Sequence, residues 1–554
     1  MEKRLLVALL LSAIVFVLYE YLYPPQRPRV ATTPAPVDTT APAPTQAAAV
    51  GTQSPTVGAT PAAPTAPSAP AVPAETLAVK TTNAVFTFSN IGATPVGVTM
   101  LDYNSTRNRA KAENVVLAPG LRYRIVRSKD TLDLSQTAFK ADRDGSTVTF
   151  TGDVKGSQVS IAYKVAPQGY LATVSGKVTG PGSDTSYLVA QLPSTFKSTE
   201  ADTIDDQNHF AYAVKPVRDD PQGIAFSKLD QNPKLISGPL SWVAARDKYF
   251  VIGLLTTPAA PFAEADLSGD PKLPGAKLKT IANGSVIQPV RNGTFGFELY
   301  AGPQEYSRLH ALGREFEDVN PYGGFLHGVL QPFATIIVRV MIWMRGALQL
   351  NYGWIIIIFG VGIRVLLWPL NQRAMRTSLR MQALQPEIQA VQERYKNKPE
   401  QLQTEMMKVY GEHGLSPLSP IVGCLPMLIP LPILYCLLFV FQNTIAFRGV
   451  SFLWLHDISL KDPYFILPAV MGVSSYLVSW IGMRNSPPNP QAKMMTYFFP
   501  AMMVFFLMNY SAGLNLYYAV QNIATLPQQW FLSNERAKAA KKAPAPARAA
   551  PARG

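Results

Sequence analysis

One positive charge interrupts the apolar run GWIIIIFGVGIRVLLWPL at residues 353–370, and it belongs to Arg364. A guanidinium at the centre of a membrane-spanning helix costs about 2.5 to 3.5 kcal/mol on insertion scales, so it needs a partner, water, or a route to the headgroups. The apolar runs at 353–371, 419–443, 463–482, 494–508 and 513–531 contain no Asp or Glu, which excludes a buried ion pair among them. Two readings remain. The side chain can snorkel, because it lies six residues before Leu370, about 9 Å along a helix, and its aliphatic stem covers much of that distance. Alternatively it faces a water-filled groove open to the cytoplasm, where it lowers the cost of bringing polar or acidic residues of another chain into the bilayer.

The last apolar run favours the groove. Ser511, Asn515, Tyr518, Asn522, Thr525 and Gln529 follow one another at intervals of four and three residues, so they share one helix face. Interhelical hydrogen bonding accounts for two or three of them, but a polar stripe crossing the whole depth fits a wet cavity better. Gly472, Ser475, Ser479 and Gly482 recur at the same spacing within 463–482, a pattern that reads as close helix packing. Pro426, Pro430 and Pro432 predict a kinked helix in 419–443 whose freed carbonyls must find partners.

Between the first two runs, residues 372–418 read as two helices, about 374–395 and 399–413, separated by the breaker NKP. Met381, Leu384, Ile388, Val391 and Tyr395 make an apolar stripe on the first; Leu402, Met406, Val409 and Tyr410 do so on the second. Facing each other, the stripes would form a short helical hairpin. Fourteen of the sixteen methionines lie between 341 and 508, which suits membrane-core filling and also surfaces that accept varied apolar partners. The five histidines fall outside the confidently apolar spans, so no metal site, cofactor or Ser-His pair is expected in the membrane. Cys424 and Cys436 lie twelve residues apart, roughly 18 Å on a helix, too far for a mutual disulfide.

The elements that must position these residues form a polytopic α-helical membrane protein with an exported all-β domain. Residues 5–23 follow Lys3 and Arg4 and are long enough to span about 30 Å of hydrocarbon. Residues 1–23 therefore read as an uncleaved anchor with a cytoplasmic N-terminus, since the run ends in tyrosines and prolines rather than small cleavage-site residues. Residues 24–75 carry thirteen prolines among Ala and Thr and form a tether. Short β-branched and aromatic runs at 76–318, such as AVFTFS, VSIAYKV and GTFGFELYAG, predict an antiparallel sandwich.

At 319–352, Pro332, Arg339 and Arg345 interrupt an otherwise apolar stretch, and an amphipathic helix lying in the interface is expected there. If that helix crossed the bilayer, the segment 372–418, with seven Lys or Arg, would fall outside. Six spans result: the anchor and five in the core 353–532. This places 24–352 in the periplasm, and the basic tail 533–554 in the cytoplasm, where it is expected to be disordered and could touch lipid headgroups or ribosomal RNA.

Taken in order, the anchor, the exported β domain, the interfacial helix, the span IIIIFGVGIRVLLWPL, the hairpin RMQALQPEIQAVQERYKNKPEQLQTEMMKVY, the run SPLSPIVGCLPMLIPLPIL, the loop LWLHDISLKDPYFILP and the final GLNLYY resemble the YidC/Oxa/Alb family of membrane protein insertases. The resemblance implies a non-enzymatic insertase and folding chaperone of the bacterial inner membrane. It would act on nascent membrane proteins alone or beside the Sec translocon, with a β-supersandwich as the periplasmic domain. It also implies that Arg364 is the groove arginine and Tyr518 the groove-facing tyrosine; the polar stripe adds Asn515, Asn522 and Thr525 to the expected groove, and Tyr517 is expected with them. The hairpin implies a capture element, and ribosome contact through hairpin and tail is a further implication; no DNA partner is implied. Gly360 stands where some members carry a hydroxyl, so a substrate contact at that position is open. The rival reading is a small-molecule or ion transporter with Arg364 as counter-ion, although no internal repeat relates the five core spans.

Overall fold

In the computed structural model the described residues are 73–108, 111–257, 260–271, 278–321, 327–395, 398–413, 430–484 and 490–542. The expected anchor, nearly all of the tether and the last twelve residues of the tail lie outside them. Among the described residues, 76–318 contain eighteen strands in two sheets. The strands Thr76–Lys80, Ala84–Ser89, Thr94–Asn104 and Asn114–Leu117 form a four-stranded antiparallel meander. The other fourteen form the larger sheet.

Alternation explains the faces. In AVFTFS the buried residues are Ala84, Phe86 and Phe88, and in SQVSIAYKV they are Ser157, Val159, Ile161, Tyr163 and Val165. The sheets meet where the Phe88 ring lies 4.9 Å from that of Tyr163, whose hydroxyl donates to the Ala93 carbonyl at 2.8 Å. Two strands, Ala211–Pro216 and Phe250–Thr256, are buried at every position, so the larger sheet is covered on both sides there. Lys155 and Gly156, at φ of 51° and 74°, make the tight turn joining Thr147–Val154 to Ser157–Val165.

Two short helices, α1 (Thr203–Asn208) and α2 (Tyr306–Ala311), belong to the β region. The helical region comprises α3 (His327–Leu348), α4 (Tyr352–Ala383), α5 (Gln385–Arg394), α6 (Pro399–Glu412), α7 (Pro430–Asn443), α8 (Ile466–Met483), α9 (Pro490–Leu507) and α10 (Ala512–Lys542). Stretches Tyr352–Pro369 and Ile466–Met483 are long and apolar enough to cross a membrane; Ile433–Asn443 and Thr496–Leu507 are shorter apolar helical segments. The large side chains Trp343, Val365, Leu366, Val473, Phe498 and Phe505 are exposed on the outer faces of these helices. Surfaces this apolar call for lipid rather than water.

α3 buries Leu330, Ala334, Val338 and Met341 and exposes Phe333, Ile336 and Trp343. Its arginines are anchored: Arg339 Nε donates to the Tyr306 hydroxyl at 2.6 Å, and Arg345 Nη1 to the Leu350 carbonyl at 2.6 Å.

Two boundaries differ from the sequence reading. The first hairpin helix does not begin near 374: α4 runs unbroken to Ala383, and the chain breaks at Leu384 before α5. Pro386 favours the break, because it has no N–H to continue the ladder and instead takes a place in the first turn of α5, where that N–H is not needed. The tail is helical to Lys542, since ERAKAAKK consists of good helix formers and the next proline is Pro544.

Candidate functional site

α4 and α10 pack against each other at Gly360, where an added Cβ would lie 3.1 Å from Cγ1 of Val520. The glycine permits this approach, and its carbonyl accepts from Gln521 Nε2 at 2.7 Å. Gln521 Nε2 also donates to the Tyr517 hydroxyl at 3.1 Å. One turn after Gly360, the Arg364 guanidinium points to α10, where Nη2 donates to Oε1 of Gln528 at 2.5 Å. Gln521 and Gln528 are two turns apart, so α10 holds the same turn of α4 by its backbone and by its charge.

Gln528 is only 2% exposed, and its Nε2, like Nε of Arg364, is buried without a hydrogen-bond partner among the described residues. Beside this contact lies a cavity of about 120 Å³, with room for several waters. Ile363, Arg364 and Leu367 of α4 line it, with Ile433 and Leu434 of α7 and Tyr517, Tyr518, Gln521, Asn522 and Thr525 of α10. One wall is apolar and the other hydrogen-bonding, with a cation between them. Such a site can neutralise an acidic group and hydrate polar ones; no described ion pair engages Arg364.

The structure gathers Arg364, Tyr517, Tyr518, Asn522 and Thr525 around one cavity, and Gly360 adjoins it through its backbone. Asn515 is a correction. It is fully buried, and its Nδ2 donates to the carbonyls of Leu507 and Ser511 at 3.0 and 3.2 Å, fastening the corner between α9 and α10. Its place in the polar stripe reflects a local hydrogen-bonding need, not the cavity wall. Asn522 does both, since its Nδ2 also donates to Met471 of α8 at 3.2 Å. Gln521 and Gln528 were missed by the sequence reading; with Tyr517 they form a second stripe at intervals of four and seven, beside the one singled out.

In the hairpin, Leu384, Val409 and Tyr410 are buried and Ile388, Leu402 and Met406 half-buried. The Met381 side chain lies outside the described residues. The small-residue stripe in α8 is packing: a Cβ at Gly472 would meet Cγ2 of Val504 at 2.4 Å.

Comparison with known proteins agrees across both regions. Residues 343–540 match the 60Kd inner membrane protein family, and residues 76–344 match the YidC periplasmic domain. The chain is 31% identical over 416 residues to the membrane protein insertase YidC of Anaeromyxobacter sp., covering 74% of this chain and 72% of that one. With the membrane protein insertase YidC of Chlorobium phaeovibrioides it shares 34% identity over 319 residues, 55% of this chain and 54% of the relative. A crystal structure of an active YidC insertase with its first transmembrane domain resolved aligns over 83% of this chain and 93% of that one, at 17% identity and a TM-score of 0.33.

Proposed function

The chain belongs to the YidC family of membrane protein insertases, and from that premise we propose that Arg364 and the polar face of α10 form the groove through which a client segment enters the bilayer. It is an inner-membrane insertase with a β-rich periplasmic domain, not an enzyme. A hydrophobic segment of a newly made protein approaches from the cytoplasm, the hairpin of α5 and α6 captures it, and its polar flank is drawn to the cavity by the guanidinium. Its apolar part slides past the exposed apolar faces into lipid, and partitioning supplies the net driving force.

This reading takes the chain as six-spanning, with both termini in the cytoplasm and residues 24–352 in the periplasm, an orientation that puts the Lys and Arg clusters of 372–418 and of the tail in the cytoplasm. The Sec translocon is the expected partner for larger clients, and the basic tail and hairpin are the expected ribosome contacts.

One observation carries the proposal: Arg364 faces a polar wall across a cavity, and its described hydrogen-bond partner is a neutral amide. The test is insertion of single-span clients in cells depleted of the native protein. Arg364→Ala should reduce insertion most for clients with acidic exported segments, and Arg364→Lys should retain much of it. Equal insertion of acidic and neutral clients by all three proteins would remove the charge from the mechanism.

A further inference from the structure

The hydrogen bond between Arg364 and Gln528 has a chemistry suited to exchange. A guanidinium offers five N–H donors in a planar fork that matches a carboxylate bidentately. Gln528 Oε1 takes one of them at 2.5 Å, while Arg364 Nε, also buried, has no partner among the described residues. The amide is neutral, so it orders the guanidinium without cancelling its charge. A carboxylate at 528 would instead form a buried pair that an incoming acidic group would have to break. An amide exchanges one hydrogen bond for two charge-assisted ones when a client carboxylate arrives.

Gln521 makes such an exchange possible without loss of register. It holds the Gly360 carbonyl one turn away, so the backbone that carries Arg364 stays fixed to α10 when the guanidinium lets go of Gln528. Gln528 Nε2 lacks a partner among the described residues, so no second hydrogen bond ties the amide to the orientation that faces Arg364.

We propose that Gln528 is the resting ligand of Arg364, a placeholder displaced by acidic groups of the client, and that its neutrality sets the preference of the groove for acidic exported segments. The inference rests on the groove reading of Arg364 and adds a specificity-determining residue to it.

The experiment uses the full-length protein in proteoliposomes and two single-span clients that differ only by Glu or Gln in a short exported segment, with insertion read by protease protection. The quantity of interest is the ratio of Glu-client to Gln-client insertion. Gln528→Glu should lower that ratio by roughly two- to tenfold, the range expected when a competing hydrogen bond or charge is added. Gln528→Met, which removes the acceptor at similar volume, should raise it. An unchanged ratio in either folded variant overturns the proposal, as does a loss that falls equally on both clients. If Gln528→Glu does not fold, the direction of change in Gln528→Met decides alone. Arg364→Ala in the same assay separates the two levels: if it leaves the ratio unchanged, the groove reading and this inference fail together. If it shifts the ratio while the Gln528 variants do not, only the inference fails.

Discussion

Arg448 and Glu200, 248 residues apart in sequence, form an ion pair in which both side chains are nearly sealed from solvent, at 5% and 7% exposure. Arg448 Nε lies 2.9 and 3.0 Å from the two carboxylate oxygens, and Nη2 lies 2.8 Å from Oε1. Nη2 also donates to the Asn104 carbonyl at 2.8 Å, and the guanidinium lies over the Phe250 ring at 5.5 Å. Arg448 belongs to the loop after α7, whereas Glu200, Asn104 and Phe250 belong to the β region. Nearby, the Tyr249 hydroxyl donates to the Gln442 carbonyl at 3.3 Å.

Removing one member of such a pair leaves the other charge buried alone, at a cost of about 3 to 5 kcal/mol. Arg448→Ala should therefore release the loop from the β region, read as faster hydrogen exchange at amides 445–462. Arg448→Lys keeps the charge but loses the fork and should fall between the two. Unchanged exchange in the alanine variant would mean that other contacts hold the seam.

Asp206 and Asp247 lie behind Glu200, 1% and 2% exposed. Burial lifts the Asp206 carboxyl to about 6, with Glu200 adding to the shift and Ser198 and Lys248 opposing it. Burial and the neighbouring Asp206 hold Asp247 well above the ordinary carboxylate range. A raised acid binds its proton more tightly when folded. The stabilisation from that proton is complete below the unfolded value and is lost as pH rises from about 4 to about 6. Asp206→Asn should thus raise the thermal midpoint of the full chain at pH 7.5 and change it little at pH 4. A lower midpoint at pH 7.5 would contradict the assigned protonation.

The contact between Gly472 and Val504 can be tested as a pair. Gly472→Ala places a methyl group where Cγ2 of Val504 stands, and overpacking of this kind costs about 1 to 3 kcal/mol. Val504→Ala, destabilising by itself, should recover part of that loss in the double variant. Strict additivity in thermal melts would show that the helices do not meet there.

Asn515→Leu should lower stability by about 1 to 3 kcal/mol, because two carbonyls at the corner between α9 and α10 lose a donor. Its effect on insertion should be the same for acidic and neutral clients. A change in the client ratio would return Asn515 to the groove.

Arg364 was legible in the sequence because one charge in an apolar run has a calculable cost. The polar face of α10 was legible as a period but not in its phase. Period places Asn515, Tyr518 and Asn522 on one side of a helix, yet only packing decides that Asn515 turns to its own corner and that Gln521 and Gln528 turn to α4. The end of the apolar run near 371 suggested a helix boundary that does not exist, since hydrogen bonding in α4 continues where hydropathy changes. The Arg448 and Glu200 pair left no local signal, because neither its spacing nor its composition departs from that of a solvated loop.

α4 also has mechanical consequences. It is one helix of 32 residues that carries Arg364 and leads directly into the hairpin. From Pro369 to Ala383 is an arm of about 21 Å, so a bend of about 5° at the proline displaces the far end by about 1.8 Å. Pro369 removes one rung of the hydrogen-bond ladder along that arm, five residues beyond the arginine. Bending is cheapest at that elbow. A load on the hairpin is therefore absorbed below the guanidinium, which keeps its station while the arm swings.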